Sequence, residues 1–390
     1  RPGGREGRPR GEMEGEPMRN EEKRTGAEID LHRLEHNYRE IRRALPEGCR
    51  FAGLCKANAY GHGAVTIARR LEELGADYIA VSCYEEAAEL RAAGLEMPIL
   101  IRAPSPAFLA PDIARLGAEQ AIGDIDCARG MSRALAGTGL TLRCHIKLET
   151  GMGRTGFSVS SERELDGVRE LLRLPGLESA GVFTHFAVSD EPEERFTLEQ
   201  FGRFTAAVDA LENETGRSLG IRHCANSGAV VNFRQTCLDM VRPGLLLYGL
   251  YPGAERGGLD LKPVMRLLTR VAEVTEHRAG DTISYGRIYT CERDMRLAVI
   301  PVGYADGLHR SLSGKFDVVI NGRRARQVGR ICMDMCMVDV TDMPEVRAGD
   351  IVTVFGDEPD AGELADIAGT ISYELLCAIS PRVPRVYIGL

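Results

Sequence analysis

The sequence lacks three features that would each define a class of protein. No apolar run approaches the ~20 residues that cross a bilayer, which excludes an ordinary transmembrane helix. Lys and Arg number 49 against 57 Asp and Glu, and the net charge of −8 offers no broad basic field to nucleic acid or anionic lipid. The 11 cysteines are odd in number and include no Cys-x-x-Cys pair. We therefore expect reduced thiols, a cytoplasmic location and neither nucleic acid nor membrane as a partner.

The composition is otherwise that of an ordinary globular protein. Hydrophobic residues make up 44% and charged residues 27% of the 390 residues, so a sizeable core is expected. Residues 1–25 contain no Leu, Ile, Val, Phe or Tyr and no apolar segment of the signal-peptide type, and we expect a disordered tail. Cys332 and Cys336 are spaced to supply half of a metal site, but no second pair matches them, and we expect no metal.

Short β-rich apolar runs alternate with amphipathic helical stretches between residues 26 and 255. This alternation implies parallel strands, and eight strands over ~220 residues close most economically into a (β/α)8 TIM-type barrel. A doubly wound open sheet is the alternative fold. The eight runs are residues 51–56, 78–83, 98–102, 120–124, 142–149, 179–186, 221–227 and 238–250.

Residues 256–390 follow a different pattern, in which short β-branched runs are separated by Gly, Asp and Asn turns. The Asn321-Gly322 pair is a hairpin signal, and two helices are expected near 361–368 and 371–379. The sequence therefore predicts an α/β barrel domain over residues 26–255, followed by a mostly β domain over residues 256–390.

Lys56 stands where the first predicted barrel strand ends, directly before AlaAsnAlaTyrGlyHisGly. Active sites of such barrels lie at the carboxyl ends of the strands. A partly desolvated lysine at that place can form a Schiff base with a carbonyl cofactor. Barrel closure would bring further polar residues from other strand ends to the same mouth, namely Lys147, Arg154, His185, His223, Asn226, Ser227 and Arg242.

Residues 151–156 read GlyMetGlyArgThrGly and match the dinucleotide-binding pattern G-x-G-x-x-G. The pattern here follows the fifth of eight strands, whereas the lysine-bearing segment ends the first. In a chain with 44 glycines we interpret the match as chance. A nicotinamide-dependent oxidoreductase is the alternative function that it would imply.

Eight motifs, spread in order along the chain, carry a resemblance to one family. They are LysAlaAsnAlaTyrGlyHisGly (56–63), LysLeuGluThrGlyMetGlyArgThrGly (147–156), HisCysAlaAsnSer (223–227), ValArgProGly (241–244), SerTyrGly (284–286), ValGlyTyrAlaAspGly (302–307), GlyArgIleCysMetAsp (329–334) and SerTyrGlu (372–374). Together they resemble alanine racemase from about residue 27 to the C-terminus. The resemblance implies a pyridoxal 5′-phosphate enzyme with a (β/α) barrel, a C-terminal β domain and a homodimer that shares its active sites.

The resemblance also implies a role for each matching residue on the barrel. Lys56 resembles the lysine that holds the cofactor, and Arg242 the arginine that faces its pyridine nitrogen. Since a guanidinium donates hydrogen bonds but cannot accept them, that nitrogen is expected to stay unprotonated. The other matches are Tyr60, Ser227, Gly244 and Tyr373 around the phosphate, His223 behind Arg242, His185 near the cofactor, Arg154 at the phenolic oxygen and the substrate carboxylate, and Lys147 at the position of a lysine that is often carbamylated.

The second domain supplies the remaining matches. Racemisation removes a proton on one face and returns it on the other, so two acid–base groups are needed. Lys56 resembles one of them, and Tyr285, contributed across the dimer interface, resembles the other. Their ordinary pKa values are ~10.4 and ~10, so the site must lower at least one of them. Met333 is expected near the substrate carboxylate, and the substrate entryway is expected at Tyr304, Arg330, Asp334 and Tyr373.

The resemblance implies conversion of L-alanine into D-alanine for cell-wall peptidoglycan. The alternatives are a pyridoxal-phosphate carrier without turnover, a decarboxylase that shares the barrel, and the oxidoreductase above. The carrier is disfavoured because such proteins lack the β domain with its second base. Serine as the substrate is disfavoured because Tyr373 and Met333 would leave a small side-chain pocket.

Overall fold

The computed structural model describes residues 24–193 and 195–389. In this part of the chain the strands are β1 (Thr25–Asp30), β2 (Arg50–Leu54), β3 (Tyr78–Val81), β4 (Ile99–Ile101), β5 (Ala118–Ile122), β6 (Leu142–Glu149), β7 (Phe157–Ser158), β8 (Leu177–Phe183), β9 (Ile221–His223), β10 (Met240–Val241), β11 (Met265–Arg270), β12 (Glu273–His277), β13 (Thr282–Ile283), β14 (Tyr289–Thr290), β15 (Met295–Ile300), β16 (Asp317–Ile320), β17 (Arg323–Val328), β18 (Cys336–Asp339), β19 (Ile351–Phe355) and β20 (Arg385–Ile388). The right-handed α-helices are Leu31–Ala44, Ala64–Glu73, Tyr84–Ala92, Ala110–Arg115, Ile125–Leu135, Asp166–Leu171, Phe196–Thr215, Ser227–Asn232, Ala361–Ala368 and Ser372–Ala378.

The first large sheet is a nearly closed parallel barrel in the order β10-β2-β3-β4-β5-β6-β8-β9. Every residue of β3, β4 and β5 is buried, because helices cover the outside while side chains fill the inside. The helices between the strands present apolar stripes to the barrel, as Ile67, Ala68 and Leu71 do in Ala64–Glu73. The predicted eight-stranded TIM-type barrel is confirmed.

The second large sheet has nine strands in the order β12-β15-β18-β17-β16-β19-β11-β1-β20. Neighbouring strands in it are mostly antiparallel, and the two expected helices, Ala361–Ala368 and Ser372–Ala378, lie between β19 and β20. The mostly β second part of the fold is therefore confirmed.

Strand β1 belongs to the second sheet, although the predicted limits of the barrel domain, residues 26–255, include all but its first residue. β1, placed by residue number in the barrel domain, pairs antiparallel with β11 and parallel with β20 of the second sheet. Its alternating buried and half-buried residues suit a sheet with one covered face, whereas the barrel strands β3, β4 and β5 are buried throughout. The barrel sheet itself starts at Arg50.

The predicted disordered tail is also too long at its C-terminal end. Thr25 is buried and its hydroxyl contacts that of Thr269 at 2.9 Å, while Arg24 forms an ion pair with buried Asp306 at 2.6 Å. Residues 1–23, which make up the rest of the predicted tail, lie outside the described residues.

The end of the chain contacts the segment that follows Lys56. Arg385 donates from Nε to the carbonyl of Gly61 at 2.8 Å, and the Tyr387 hydroxyl donates to the carbonyl of His62 at 3.2 Å. A Cβ at Gly63 would lie 1.8 Å from that hydroxyl, so only glycine fits there. The second part of the chain thereby fixes the loop that carries Lys56.

Candidate active site

A cavity of about 1070 Å³ opens at the carboxyl ends of the barrel strands. Lys56 follows β2, Arg102 follows β4 and Arg242 follows β10, so side chains from well-separated parts of the sequence meet in one place. The outer rim comes from residues 360–373 of the second part of the chain. The predicted residues that line the cavity are Lys56, Tyr60, Arg154, His185, Asn226, Ser227, Arg242, Gly244 and Tyr373.

The chain turns away from Lys56 through a left-handed stretch. Ala57, Asn58, Ala59 and Tyr60 have φ values of 52–53°, a conformation that costs about 1–2 kcal/mol per non-glycine residue. Glu86 stabilises the stretch, because one carboxylate oxygen accepts the N–H of Ala57 at 2.6 Å and the other accepts the N–H of Ser82 at 2.6 Å. The turn is thus tied to the end of β3.

The amine of Lys56 lies among positive charges. Burial lowers its pKa, and the guanidinium groups of Arg102 and Arg154 lower it further. A lowered pKa increases the fraction of neutral amine near pH 7, which is the form that attacks a carbonyl or accepts a proton. His185 also lines the cavity, and burial together with Arg102 and Arg242 holds its pKa well below the usual range.

Three hydroxyl side chains and one glycine form a cradle on one side of the cavity. The hydroxyl of Ser227 accepts the N–H of Gly244 at 2.9 Å, and the rings of Tyr60 and Tyr373 lie 5.6 Å apart. A Cβ at Gly244 would lie 2.6 Å from the Tyr60 hydroxyl, so the absence of a side chain keeps that hydroxyl in place. We call Tyr60, Ser227, Gly244 and Tyr373 the hydroxyl cradle.

Arg242 is a fully buried guanidinium whose N–H groups face mainly neutral acceptors. Nη1 donates to Nδ1 of His223 at 2.7 Å, and Nη2 donates to the carbonyls of Thr184 at 2.9 Å and Cys224 at 3.1 Å. Burial and the charge of Arg102 lower its pKa to about 9, which leaves the guanidinium charged near pH 7. Nε has no hydrogen-bond partner among the described residues.

Lys147 lies inside the barrel, 7% exposed, and donates to the hydroxyl of Thr155. Burial and the charges of Arg154, Arg102 and Arg242 lower its pKa to about 8. A substantial fraction of its amine is therefore neutral near pH 8. This is a nucleophilic amine surrounded by cations.

Backbone N–H groups of the G-x-G-x-x-G segment bind the carboxylate of Glu149, which lies just before the segment in the sequence. Glu149 accepts the N–H groups of Gly151 at 2.6 Å, Met152 at 2.5 Å and Arg154 at 3.1 Å. Burial opposes the charge on Glu149, yet these backbone N–H groups hold its pKa below the usual value. Amides that already bind an internal anion do not cradle a dinucleotide phosphate, which supports a chance match.

Besides the buried His223 and Lys147, five predicted residues, all from the second part of the chain, lie outside this cavity. Tyr285 and Met333 are 70% and 53% exposed, and Tyr304 is 43% exposed. They lie together because the N–H of Tyr304 donates to the carbonyl of Cys332, while a Cβ at Gly286 would meet the Arg330 guanidinium at 2.9 Å. Asp334 pairs with Arg382 at 2.8 Å. We call Tyr285, Tyr304, Arg330, Met333 and Asp334 the exposed tyrosine patch.

Sequence reasoning missed several residues that shape the site. Arg102 ends the apolar run PILIR, and its position after a strand was an available signal. Glu86 carried no such signal. Neither did His145, which contacts Nε2 of His223 at 2.7 Å, nor Glu119, which contacts Nε2 of His145 at 2.7 Å. The partners of all three are distant in the sequence. In the described part of the chain, no three His, Cys, Asp or Glu side chains are grouped as metal ligands, and no helix is long and apolar enough to span a bilayer.

Two family models match the chain. The alanine racemase N-terminal domain matches residues 29–252, and the alanine racemase C-terminal domain matches residues 264–387. The chain belongs to the alanine racemase family. It is therefore an enzyme of the amino-acid racemase class, as the sequence predicts.

Relatives match over nearly their whole length. The chain is 46% identical over 365 residues to an alanine racemase of Desulfovibrio desulfuricans, covering 93% of this chain and 97% of the relative. It is 43% identical over 368 residues to alanine racemase 1 of Clostridium acetobutylicum, covering 93% and 95%. Family membership thus rests on both parts of the chain.

Solved structures of family members share the fold. The alanine racemase of Clostridium difficile 630 superposes with a TM-score of 0.90 at 36% identity, covering 94% of this chain and 96% of that one. The Bacillus anthracis alanine racemase with bound L-Ala-P gives 0.88 at 35% identity, with 96% of each chain covered. These similarities extend over the barrel and the second sheet together.

Proposed function

We propose that this protein is a pyridoxal 5′-phosphate-dependent alanine racemase that interconverts L- and D-alanine by a two-base mechanism. The observation that carries the proposal is the position of Lys56, which lines one cavity with the hydroxyl cradle and with Arg242, whose buried Nε has no hydrogen-bond partner among residues 24–193 and 195–389. Membership of the alanine racemase family supports the same reaction. Its product, D-alanine, would serve peptidoglycan synthesis in the cytoplasm.

The residues of the cavity fit the cofactor at three points. Lys56 offers an amine of lowered pKa for the aldehyde carbon. The hydroxyl cradle and the space left by Gly244 suit a phosphate, which needs donors and close approach of the backbone. The buried N–H at Nε of Arg242 has no acceptor in the part of the chain that the structure describes, and the pyridine nitrogen would supply one.

Pyridoxal phosphate, when bound, supplies an electron-withdrawing ring that makes the α-proton of the conjugated amino acid removable. Lys56 then holds or returns that proton at Nζ on one face. Arg154 lines the cavity and supplies a positive charge for the substrate carboxylate. Arg242, which can only donate, keeps the ring nitrogen from binding a proton.

The base for the other face comes from a second copy of the chain. Tyr285 does not line the cavity of its own chain, and it lies 70% exposed beside other exposed apolar side chains. An exposed apolar group of this kind is typical of an interface. We infer a homodimer in which the exposed tyrosine patch of each copy covers the cavity of the other, bringing Met333 to the substrate and forming the entryway.

Lys147 completes the proposed site. Carbamylation adds carbon dioxide to a neutral amine and releases one proton, and the pKa of about 8 provides such an amine. The resulting carbamate would be negative, and the cations that lower the pKa of the amine, Arg154 first, would then stabilise it. A carbamate at this position would orient Arg154 toward the substrate.

The reaction is tested directly by proton NMR of L-alanine in D₂O with the pure protein and added cofactor. We expect the α-proton signal to disappear and chiral chromatography to show equal enantiomers at the end. L-serine serves as the comparison, and its kcat/KM should be the lower one. Exchange of the α-proton without inversion would contradict the two-base scheme.

The shared site is tested with hybrid dimers. Lys56→Ala and Tyr285→Ala protein are each inactive by the proposal. After unfolding and refolding as an equal mixture, half of the dimers are hybrids, and each hybrid has one site with both bases intact. The mixture should recover about a quarter of the wild-type activity by random pairing. No recovery, with hybrids shown by native mass spectrometry, would place both bases in one chain.

A further inference from the structure

A row of buried hydrogen bonds crosses the barrel interior behind Arg242. Nη1 of Arg242 contacts Nδ1 of His223 at 2.7 Å, Nε2 of His223 contacts Nδ1 of His145 at 2.7 Å, and Nε2 of His145 contacts Oε2 of Glu119 at 2.7 Å. All four side chains are at most 4% exposed. At the far end, Arg143 pairs with the other carboxylate oxygen of Glu119 at 3.0 Å.

The two ends of the row dictate where every proton lies. A guanidinium has no lone pair to accept with, so Nδ1 of His223 must be the acceptor. A neutral His223 then carries its hydrogen on Nε2 and donates to Nδ1 of His145. His145 in turn carries its hydrogen on Nε2 and donates to the carboxylate of Glu119. With neutral imidazoles, this is the arrangement that satisfies all three hydrogen bonds.

The reverse direction fails at Arg242. If His145 donated from its Nδ1, Nε2 of His223 would have to accept. The hydrogen of the neutral His223 ring would then lie on Nδ1 of His223. That hydrogen would then face the N–H of Arg242 at 2.7 Å, with two donors opposed. Burial and the charge of Arg242 also hold the pKa of His223 far below its usual value, which disfavours a doubly protonated ring.

Glu119 is the carboxylate in which the row ends, and it shares its charge with the ion pair to Arg143. Among the described residues, no carboxylate forms an ion pair with Arg242, and its direct partners are neutral carbonyls and imidazoles. A buried charge without compensation is costly, and removal of one partner from such a row leaves the others unsatisfied. The row therefore ends on a carboxylate that accepts its last hydrogen bond, and removal of that acceptor leaves His145 unsatisfied.

We propose that Glu119 and His145 are positioning residues for Arg242, and that the Glu119 carboxylate fixes both imidazole tautomers so that Arg242 presents a constant donor to the cavity. The acceptor in the cavity, the pyridine nitrogen, rests on the proposed function. The direction of the hydrogen bonds in the row does not rest on the proposed function, because it follows from the residues of the chain itself. The tautomers of His145 and His223 can therefore be tested independently of the racemase activity.

The test is ¹⁵N NMR of the histidine-labelled holoenzyme without substrate, comparing wild type with Glu119→Gln. The wild type should show His145 and His223 as neutral rings protonated on Nε2. A glutamine offers both a donor and an acceptor, so the variant should lose the single tautomer. Its kcat should fall about tenfold with KM changed less than twofold, and the absorption maximum of the bound cofactor should shift.

Glu178→Gln is the matched control, because Glu178 lines the pocket at the same far end of the barrel but is exposed. It should retain the wild-type tautomers, cofactor spectrum and kcat. Glu119→Gln with unchanged tautomers and kcat would overturn the proposal. A wild-type protein with either ring protonated on Nδ1 would also overturn the proposal. The wild-type spectrum tests the proposal even if Glu119→Gln does not fold. Correct tautomers in a protein that does not racemise alanine would refute only the proposed function.

Discussion

The carboxylate of Glu86 holds the backbone of Ala57 in place, accepting its N–H at 2.6 Å. Ala57 is the first of four residues with positive φ after Lys56, and an alanine does not adopt that conformation without support. Since the other oxygen of Glu86 accepts the N–H of Ser82, the carboxylate joins two backbone segments across the mouth of the barrel. The position of the Lys56 amine therefore depends on a residue 30 positions further along the chain.

Glu86→Gln should loosen this attachment. One glutamine oxygen can accept a single N–H, while its amide group opposes the other, so one backbone donor loses its partner. We expect the free energy of unfolding to fall by about 1–3 kcal/mol, together with weaker cofactor binding. Urea titration and cofactor fluorescence measure the two effects. Glu85→Gln, in the same helix but exposed, should leave both unchanged; equal losses in the two variants would contradict the assignment.

Gly244→Ala should displace the Tyr60 hydroxyl, which a Cβ would approach to 2.6 Å. The Kd of the cofactor should rise at least tenfold, about 1.4 kcal/mol. In the double variant with Tyr60→Phe, the clashing oxygen is gone, and the two changes should cost less together than their sum. Equilibrium dialysis measures the Kd values. A Cβ at Gly202 would meet no described atom within 4 Å outside its chain neighbours and its own helix, so Gly202→Ala is the neutral control. Strict additivity would show that the Tyr60 hydroxyl is not the obstacle.

The fold was predictable because its signals are periodic. Eight apolar runs separated by amphipathic helices specify a barrel, and their carboxyl ends locate Lys56, Lys147 and Arg242. β1 was assigned by its place in the sequence, although its period-two burial matches the second sheet. Sequence order does not determine which sheet a terminal strand joins.

The interior of the site was less predictable, for a physical reason. The left-handed conformation of Ala57 and Ala59 contradicts the preference of alanine and is imposed by tertiary contacts. The row from Glu119 to Arg242 needs the register of four strands before its members meet. His223 was found through a motif, but Glu119 lies in a strand that otherwise resembles any buried strand.

Arg102→Leu should raise the pKa of Lys56 in the cofactor-free protein. The positive charge of Arg102 disfavours a second positive charge on the lysine amine, and its removal favours the ammonium form. The pH dependence of reductive methylation at Lys56, followed by peptide mass spectrometry, should move to higher pH. Arg173→Leu, an exposed arginine, should leave the midpoint unchanged. An unaltered midpoint in Arg102→Leu would show that Arg102 does not contribute, and that burial and Arg154 lower the pKa without it.

Lys147 should make the stability of the cofactor-free protein depend on pH in a defined window. Its pKa is about 8 in the folded state against an ordinary 10.5, so between these values the unfolded chain binds a proton that the native chain does not. The free energy of unfolding must therefore rise with pH across this window. Below pH 8 the buried ammonium lowers stability, and Lys147→Met should increase the Tm at pH 7 by about 2 °C or more. In carbon dioxide-free buffer the difference should shrink toward pH 10.5, as calorimetry at several pH values would show. Lys315→Met replaces an exposed lysine and should give a curve parallel to the wild type; a parallel curve for Lys147→Met as well would show that Lys147 has an ordinary pKa in the folded protein.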